Sequence, residues 1–301
     1  MPLLTRPNQI AACLEQIRNQ PLPPAPRVVL MVPPTYFEVR YAINPHMVDA
    51  DGNLNQVIPE KAHAQWNHLK TCYESCGLRV ELIPPQPDLP DMTFAANQSL
   101  TFLDATGHKA VLMSKMASTE RAQEVSYFRR WYTEQGYRVY ELEGEYPFEG
   151  TGDGLWQFPL PILWGGHGFR THPSVYEDLE HRFGWNIVPL ELIKPEFYHL
   201  DTCMAILSAD CVAICQQAFT PKGIDLIHAG FSEVISVSYA EASHHFACNS
   251  HSPDGKHVLL QSGSGDFVQT LNHLGFTPVE VDVGEFQKSG GSVFCLKMMV
   301  Y

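Results

Sequence analysis

Charge is scarce in this 301-residue chain, at 18% of residues, and positive charge is scarcer still. Twenty Lys and Arg stand against 33 Asp and Glu, a net charge of −13. That balance repels phosphate backbones and anionic membranes and attracts cationic ligands, which argues against a nucleic-acid partner. Long apolar runs are missing as well. No segment reaches the roughly 18 uninterrupted apolar residues of a membrane span, and Met1 to Arg27, which carries Arg6 and Arg18, has no run long enough for a signal peptide. A cytoplasmic location away from membranes is the expectation. The eight cysteines (13, 72, 76, 203, 211, 215, 248 and 295) include no Cys-x-x-Cys pair, and no His stands at zinc-finger spacing beside them. This argues against a disulfide framework and against a structural metal. Reduced, mostly core cysteines are expected.

What is present is enough apolar material, 45% of residues, for a sizeable core in one large domain or two. Pro7 to Asn19 has the spacing of a short amphipathic helix, with Ile10, Cys13, Leu14 and Ile17 on one face, followed by the Pro-rich stretch 21–26. Residues 1–26 therefore read as a helical extension and linker, and 27–301 as the main domain. From Arg27 a unit recurs. Val28 to Val32 is an apolar strand; Thr101 to Leu103 pairs with Ala110 to Met113, Leu155 to Phe158 with Ile162 to Trp164, Cys203 to Leu207 with Cys211 to Cys215, and His245 to Cys248 with Val258 to Leu260. Helices are expected over Glu60 to Gly77, Ser118 to Gly136, Pro173 to Phe183 and Gly265 to Leu274, two of them closed by glycine. Hairpins at intervals of about fifty residues with intervening helices suggest a pseudo-symmetric α/β architecture. Loops entering its inner strands would then converge.

Four segments could carry chemistry at such a convergence. In Lys288 to Leu296 a glycine pair opens an apolar strand and places Cys295 where its sulfur can face a cleft. In Phe197 to Thr202 an extended backbone would set His199 and Asp201 side by side. Phe148 to Gly154 interleaves three glycines with Glu149 and Asp153, but it lacks the GxGxxG frame and the lysine of a phosphate loop. Its acids suit a cation instead. In Pro90 to Asn97 the amide of Asn97 offers both donors and an acceptor, and Arg170, within Gly168 to Thr171, could clamp a carboxylate.

Taken in order, and together with Tyr36 to Met47 and Phe246 to Asn249, these segments resemble the guanidino-group-modifying, or pentein, superfamily of arginine deiminases, dimethylargininases and amidinotransferases. The likeness is strongest to its arginine dihydrolase branch. The resemblance covers nearly everything after Arg27 and implies a five-bladed α/β propeller of ββαβ-like units around a central funnel. It implies that Cys295 is the nucleophile, that His199 is the general acid and base, and that Glu149 and Asp201 hold a guanidinium. Asn97, Arg170, Asn44, Asp153 and Lys115 would bind the rest of the substrate. A guanidinium carbon is a poor electrophile, so the chemistry needs a thiolate, fixed carboxylates and a proton donor to the departing nitrogen. Acidic Asp201 favours unmethylated arginine, and Asn97, where deiminases carry aspartate, favours continuation from citrulline to ornithine, ammonia and carbon dioxide. Lys115 stands where relatives have arginine, and His46 where an aromatic is common. The partner implied is a small cationic guanidino compound, with no cofactor or metal and with homo-oligomerisation left open. Competing readings are a dimethylarginine or citrulline hydrolase, an amidinotransferase that passes the amidino group to an amine, and a non-catalytic ribosome-binding member of the same fold.

Overall fold

The computed structural model describes residues 3–18 and 20–301. The first helix runs Pro7–Ile17, opened by proline at its first position, where the missing N–H costs nothing. Asn19, the expected end of that helix, lies outside the described residues. Ile10, Cys13, Leu14 and Ile17 are all buried, and the helix packs on Pro221–Gly230 as part of the largest core cluster. Its buried face is thus part of that core.

The described residues form five small sheets in a mixed α/β fold. Three share one pattern, in which a middle strand pairs antiparallel with the strand before it and parallel with a later one that returns after a helix. The sets are Ser99–Leu103, Lys109–Met113 and Arg138–Tyr140; Gly154–Trp156, Ile162–His167 and Asn186–Glu191; and Met204–Ile206, Cys211–Ile214 and Glu233–Ser236. The expected pairs of strands are found in each hairpin, with Thr101 opposite Val111, Leu155 opposite Trp164, and Ala205 opposite Ala213. A fourth sheet closes the pattern on itself. Val28–Met31 is parallel to Arg79–Leu82, and its antiparallel neighbour is Met298–Val300, with Val28 opposite Val300. The fifth differs from expectation. His257–Gln261 pairs parallel with Thr277–Val281, but His245 to Cys248 is turn and coil, and the antiparallel partner shrinks to the single bridge His251 to Leu259.

Crossover helices Pro59–Ser75, Glu124–Glu134, Ser174–Phe183, Pro221–Gly230 and Gly265–His273 cover the sheets. In Pro59–Ser75, Trp66, Leu69 and Tyr73 recur at helical spacing on the buried side, and the chain turns out through Gly77 at φ +77. The helix expected from Ser118 begins instead at Glu124, because residues 118–123 turn inward and bury Arg121.

Candidate active site

Cys295 sits in a turn over residues 293–296, not in the strand expected after the glycine pair; that strand begins at Met298. The turn buries the residue to 3% exposure and aims its sulfur at two partners. The Cys295 thiol donates to Asp201 Oδ2 at 3.3 Å, and Asn249 Nδ2 donates to Sγ at 3.1 Å. Asn249 is itself fixed, since its Oδ1 accepts from the backbone N–H groups of Phe294 and Cys295 and its Nδ2 also reaches the Asp201 carbonyl at 3.0 Å. Burial, and then the Asp201 charge, push the Cys295 thiol well above its ordinary range. Burial likewise raises Asp201 to about 7, although the bonds from Cys295 and Asn249 and the charge of Lys297 pull the other way. Both effects on Cys295 favour the proton on sulfur.

His199 and Asp201 do come to one region, but not as alternate residues of a strand. His199 is extended, and Leu200–Thr202 is a 3₁₀ turn that starts on it. The His199 ring puts Nε2 at 2.7 Å from Glu149 Oε2. Burial alone would raise the Glu149 carboxyl. The hydrogen bond from His199, with the charges of His199, Arg170 and Arg121, instead holds it at about 2. An ionised carboxylate accepts only, so Nε2 carries the proton and Nδ1 is the nitrogen left for exchange with a reacting group. Glu149 also accepts from the Ala117 N–H at 2.9 Å and from Arg170 Nη1 at 3.3 Å on both oxygens. The glycine-rich loop does hold its acid against cations. Gly152 lets this happen, because a Cβ there would stand 2.4 Å from Asn97 Nδ2 and 3.2 Å from the His199 ring.

Arg170 also donates to the Ile43 carbonyl at 2.6 Å and lies over the Tyr198 ring. Asn44, on the same segment, donates to the Ser289 carbonyl at 3.0 Å. The 36–47 segment thereby covers the pocket, leaving a cavity of about 10 Å³ bordered by Cys295, Asn97, Arg170 and Asn44. Asp153 lies behind it. Its Oδ1 accepts from the Leu200 N–H at 3.0 Å and so supports the turn that carries Asp201. Lys115 is not brought in: its amine reaches Glu145 at 2.7 Å, at a position 41% exposed. His46 packs against Phe246 and meets the Glu196 carbonyl through Nε2, helping to seat the cover.

The buried cation that borders the pocket beside Arg170 is Arg121, which sequence reasoning passed over. Its guanidinium donates to Glu124, to the carbonyls of Asp91 and Phe94, and at 2.8 Å to Asn97 Oδ1. Burial works against its charge, but the Glu124 and Asp91 carboxylates keep it ionised. Because Arg121 can only donate, it fixes which end of the Asn97 amide faces it. The NH₂ edge, buried and without a hydrogen-bond partner, is turned toward Gly152 and His199. Arg121-x-x-Glu124, a charge pair in an otherwise amphipathic segment, was the available signal, though its ordinary meaning is an exposed helical pair. Asn249 was visible only as part of the resemblance.

Comparisons with known proteins show the family. Residues 33–301 match the family model described as N,N dimethylarginine dimethylhydrolase, eukaryotic. The chain is 34% identical over 272 residues to the bifunctional arginine dihydrolase/ornithine cyclodeaminase AgrE of Nostoc sp., covering 90% of this chain but only 37% of that protein. It is 35% identical over 278 residues to the N(G),N(G)-dimethylarginine dimethylaminohydrolase of Mycobacterium tuberculosis, covering 92% of this chain and 87% of that one. Among solved structures, the N-terminal domain of the cyanobacterial arginine dihydrolase ArgZ, bound to substrate as a cysteine-to-serine mutant, superposes with a TM-score of 0.83 at 33% identity. That match covers 90% of this chain and 97% of the domain. These relatives are named as hydrolases of C–N bonds. The chain belongs to the dimethylarginine dimethylhydrolase family.

Proposed function

We propose that this protein is a cysteine-dependent hydrolase that opens the guanidino C–N bonds of free arginine and carries it through citrulline to ornithine, two ammonia and carbon dioxide. The observation that carries the reading is the setting of Cys295 on Asp201 at a buried pocket that Asn97 and Arg170 also border, with an ionised Glu149 bonded to Arg170 and His199. A guanidinium entering such a pocket supplies the positive charge that both Asp201 and the thiol lack. Its binding draws Asp201 toward the ionised form and lowers the cost of the Cys295 thiolate. As the thiol attacks the guanidino carbon, its proton passes to Nδ1 of His199, and His199, its Nε2 held by Glu149, delivers that proton to the nitrogen that leaves as ammonia. The resulting thiouronium is hydrolysed by water that gives its proton back to His199. Citrulline has a neutral ureido oxygen in place of one NH₂, and the Asn97 NH₂ edge can donate to that oxygen where a carboxylate would repel it. A second round then has an oriented substrate. The five ββαβ units are, on this reading, blades around a common axis that brings their loops to one end. Residues 1–26 and 27–301 remain the proposed division of the chain.

Dimethylarginine is the second substrate reading, favoured by the name of the family model and by the mycobacterial relative. The test is to incubate the protein with L-arginine and follow citrulline, ornithine and ammonia. Ornithine with about two ammonia per arginine, lost in Cys295→Ser, is expected. Citrulline that accumulates unconsumed would overturn the second step, and turnover of dimethylarginine alone would overturn the substrate.

A further inference from the structure

Behind the turn that carries Cys295 lies a cavity of about 350 Å³, within the size range of small-molecule sites. None of the residues that border the catalytic pocket lines it. Leu100, Leu155, Trp156, Phe158, Ile206 and Met298 give it apolar walls. The lining hydroxyls are already engaged, Thr101 donating to the Met299 carbonyl, Thr151 to the Ser99 carbonyl, Ser208 accepting from the Asp210 and Cys211 N–H groups and Ser252 from the Gly255 N–H, and the one carboxylate, Asp254, is paired with His257.

Two nitrogen groups in the same lining are not committed. Lys297 is 1% exposed, and among the described residues its amine makes no hydrogen bond or ion pair; it lies 3.2 Å above the centre of the Phe294 ring. His251 is 8% exposed, and its Nδ1 is buried without a hydrogen-bond partner. A buried ammonium left unpaired is costly, and so is a buried imidazole nitrogen left without a bond. Natural cores remove such groups unless something meets them.

We infer that this cavity is a second binding site, for a hydrophobic monocarboxylate whose carboxylate is held by Lys297 and His251 and whose hydrocarbon body lies along the apolar walls. One carboxylate offers two acceptor oxygens, which matches two nitrogen donors. A phosphate ester would bring a second negative charge with no second cation at the depth of the cavity, since Arg27 in the lining is exposed. Burial lowers the Lys297 amine to about 7, against the charges of Asp201 and Cys295, and a bound carboxylate would favour its charged form. Because Lys297 feels the charges of Cys295 and Asp201, occupancy would be sensed at the thiol.

The inference concerns the free protein and does not depend on which guanidino compound is the substrate. Octanoate is titrated into the arginine-free chain and followed by calorimetry and by tryptophan fluorescence, since Trp156 lines the cavity. Saturable binding at one site is expected. Octanol, which has the chain without the charge, and acetate, which has the charge without the chain, should bind about tenfold or more weakly. Lys297→Met should weaken octanoate by about the same factor and leave octanol unchanged. If Lys297→Met does not fold, Ile206→Trp, which fills the cavity from a half-buried wall position, should abolish octanoate binding. Equal affinity for octanoate and octanol would overturn the site, as would unaltered octanoate binding in either variant. Displacement of octanoate by arginine in Cys295→Ser would place the ligand in the catalytic pocket instead and overturn it too.

Discussion

The proton on Cys295 is held there by burial and by the charge of Asp201, so the reactivity of the thiol should follow the charge of whatever enters the pocket. Two alkylating agents with the same leaving group separate this from ordinary exposure. Cationic 2-chloroacetamidine should inactivate the enzyme about tenfold or more faster than neutral 2-chloroacetamide at pH 7. The neutral reagent should also speed up continuously toward pH 9 without a plateau, because the folded thiol titrates above its ordinary 9.0. Equal rates, or a plateau near neutrality, would mean that the resting enzyme already holds a thiolate. Asn97 makes the other residue-scale prediction. Arg121 pins its Oδ1, so Asn97→Asp would turn the second carboxylate oxygen into the pocket where the NH₂ edge now stands. Citrulline consumption should fall by about a hundredfold while the first ammonia is still released, as the loss of a donor to a reacting oxygen commonly costs that much; product ratios by mass spectrometry check it. This amide orientation was not legible in the sequence, since it depends on a guanidinium that reaches Asn97 from a turn more than twenty residues later.

At the scale of elements, hairpins with continuous apolar runs could be read directly, because buried middle strands such as Val28–Met31 and Cys211–Ile214 announce themselves by composition. The strands that return parallel to them could not. Arg79–Leu82 and Arg138–Tyr140 are short and half exposed, and in Asn186–Glu191 and Thr277–Val281 a proline breaks the apolar residues, so none shows a continuous apolar run. The helix Pro221–Gly230 was missed for a related reason. Gly223 and Gly230 lower its helix propensity, yet a Cβ at Gly230 would stand 2.3 Å from Trp164, so the glycine serves close packing. The first helix lies against it, and Ile10, with no exposed surface, is part of the same core. Ile10→Ala should therefore cost about 2–5 kcal/mol in urea unfolding, the range for a buried large-to-small change. A negligible cost would show that this helix is dispensable to the fold.

The net charge of −13 acts on the whole molecule as a weak lens for cations. kcat/KM for arginine should fall as sodium chloride is raised from about 10 mM to about 300 mM, where the screening length drops from about 30 Å to below 10 Å. Citrulline, whose side chain is neutral, should show a shallower dependence in stopped assays. A cavity of about 10 Å³ holds one water at most, so under the proposed function arginine would enter only with movement of the 36–47 segment, which Asn44 and Arg170 tie down.

The pairing of Val28–Met31 with Met298–Val300 also has a consequence in time. A ribosome makes the chain from one end, and the sheet that anchors the turn of Cys295 cannot close until residue 300 has emerged. Three of the other sheets are assembled from segments within residues 99–236, made much earlier. Cys295, in the turn just ahead of Met298–Val300, is thus set in place only after those sheets, and a nascent chain that has already hidden their apolar surface still lacks the final setting of this sulfur on Asp201 and Asn249.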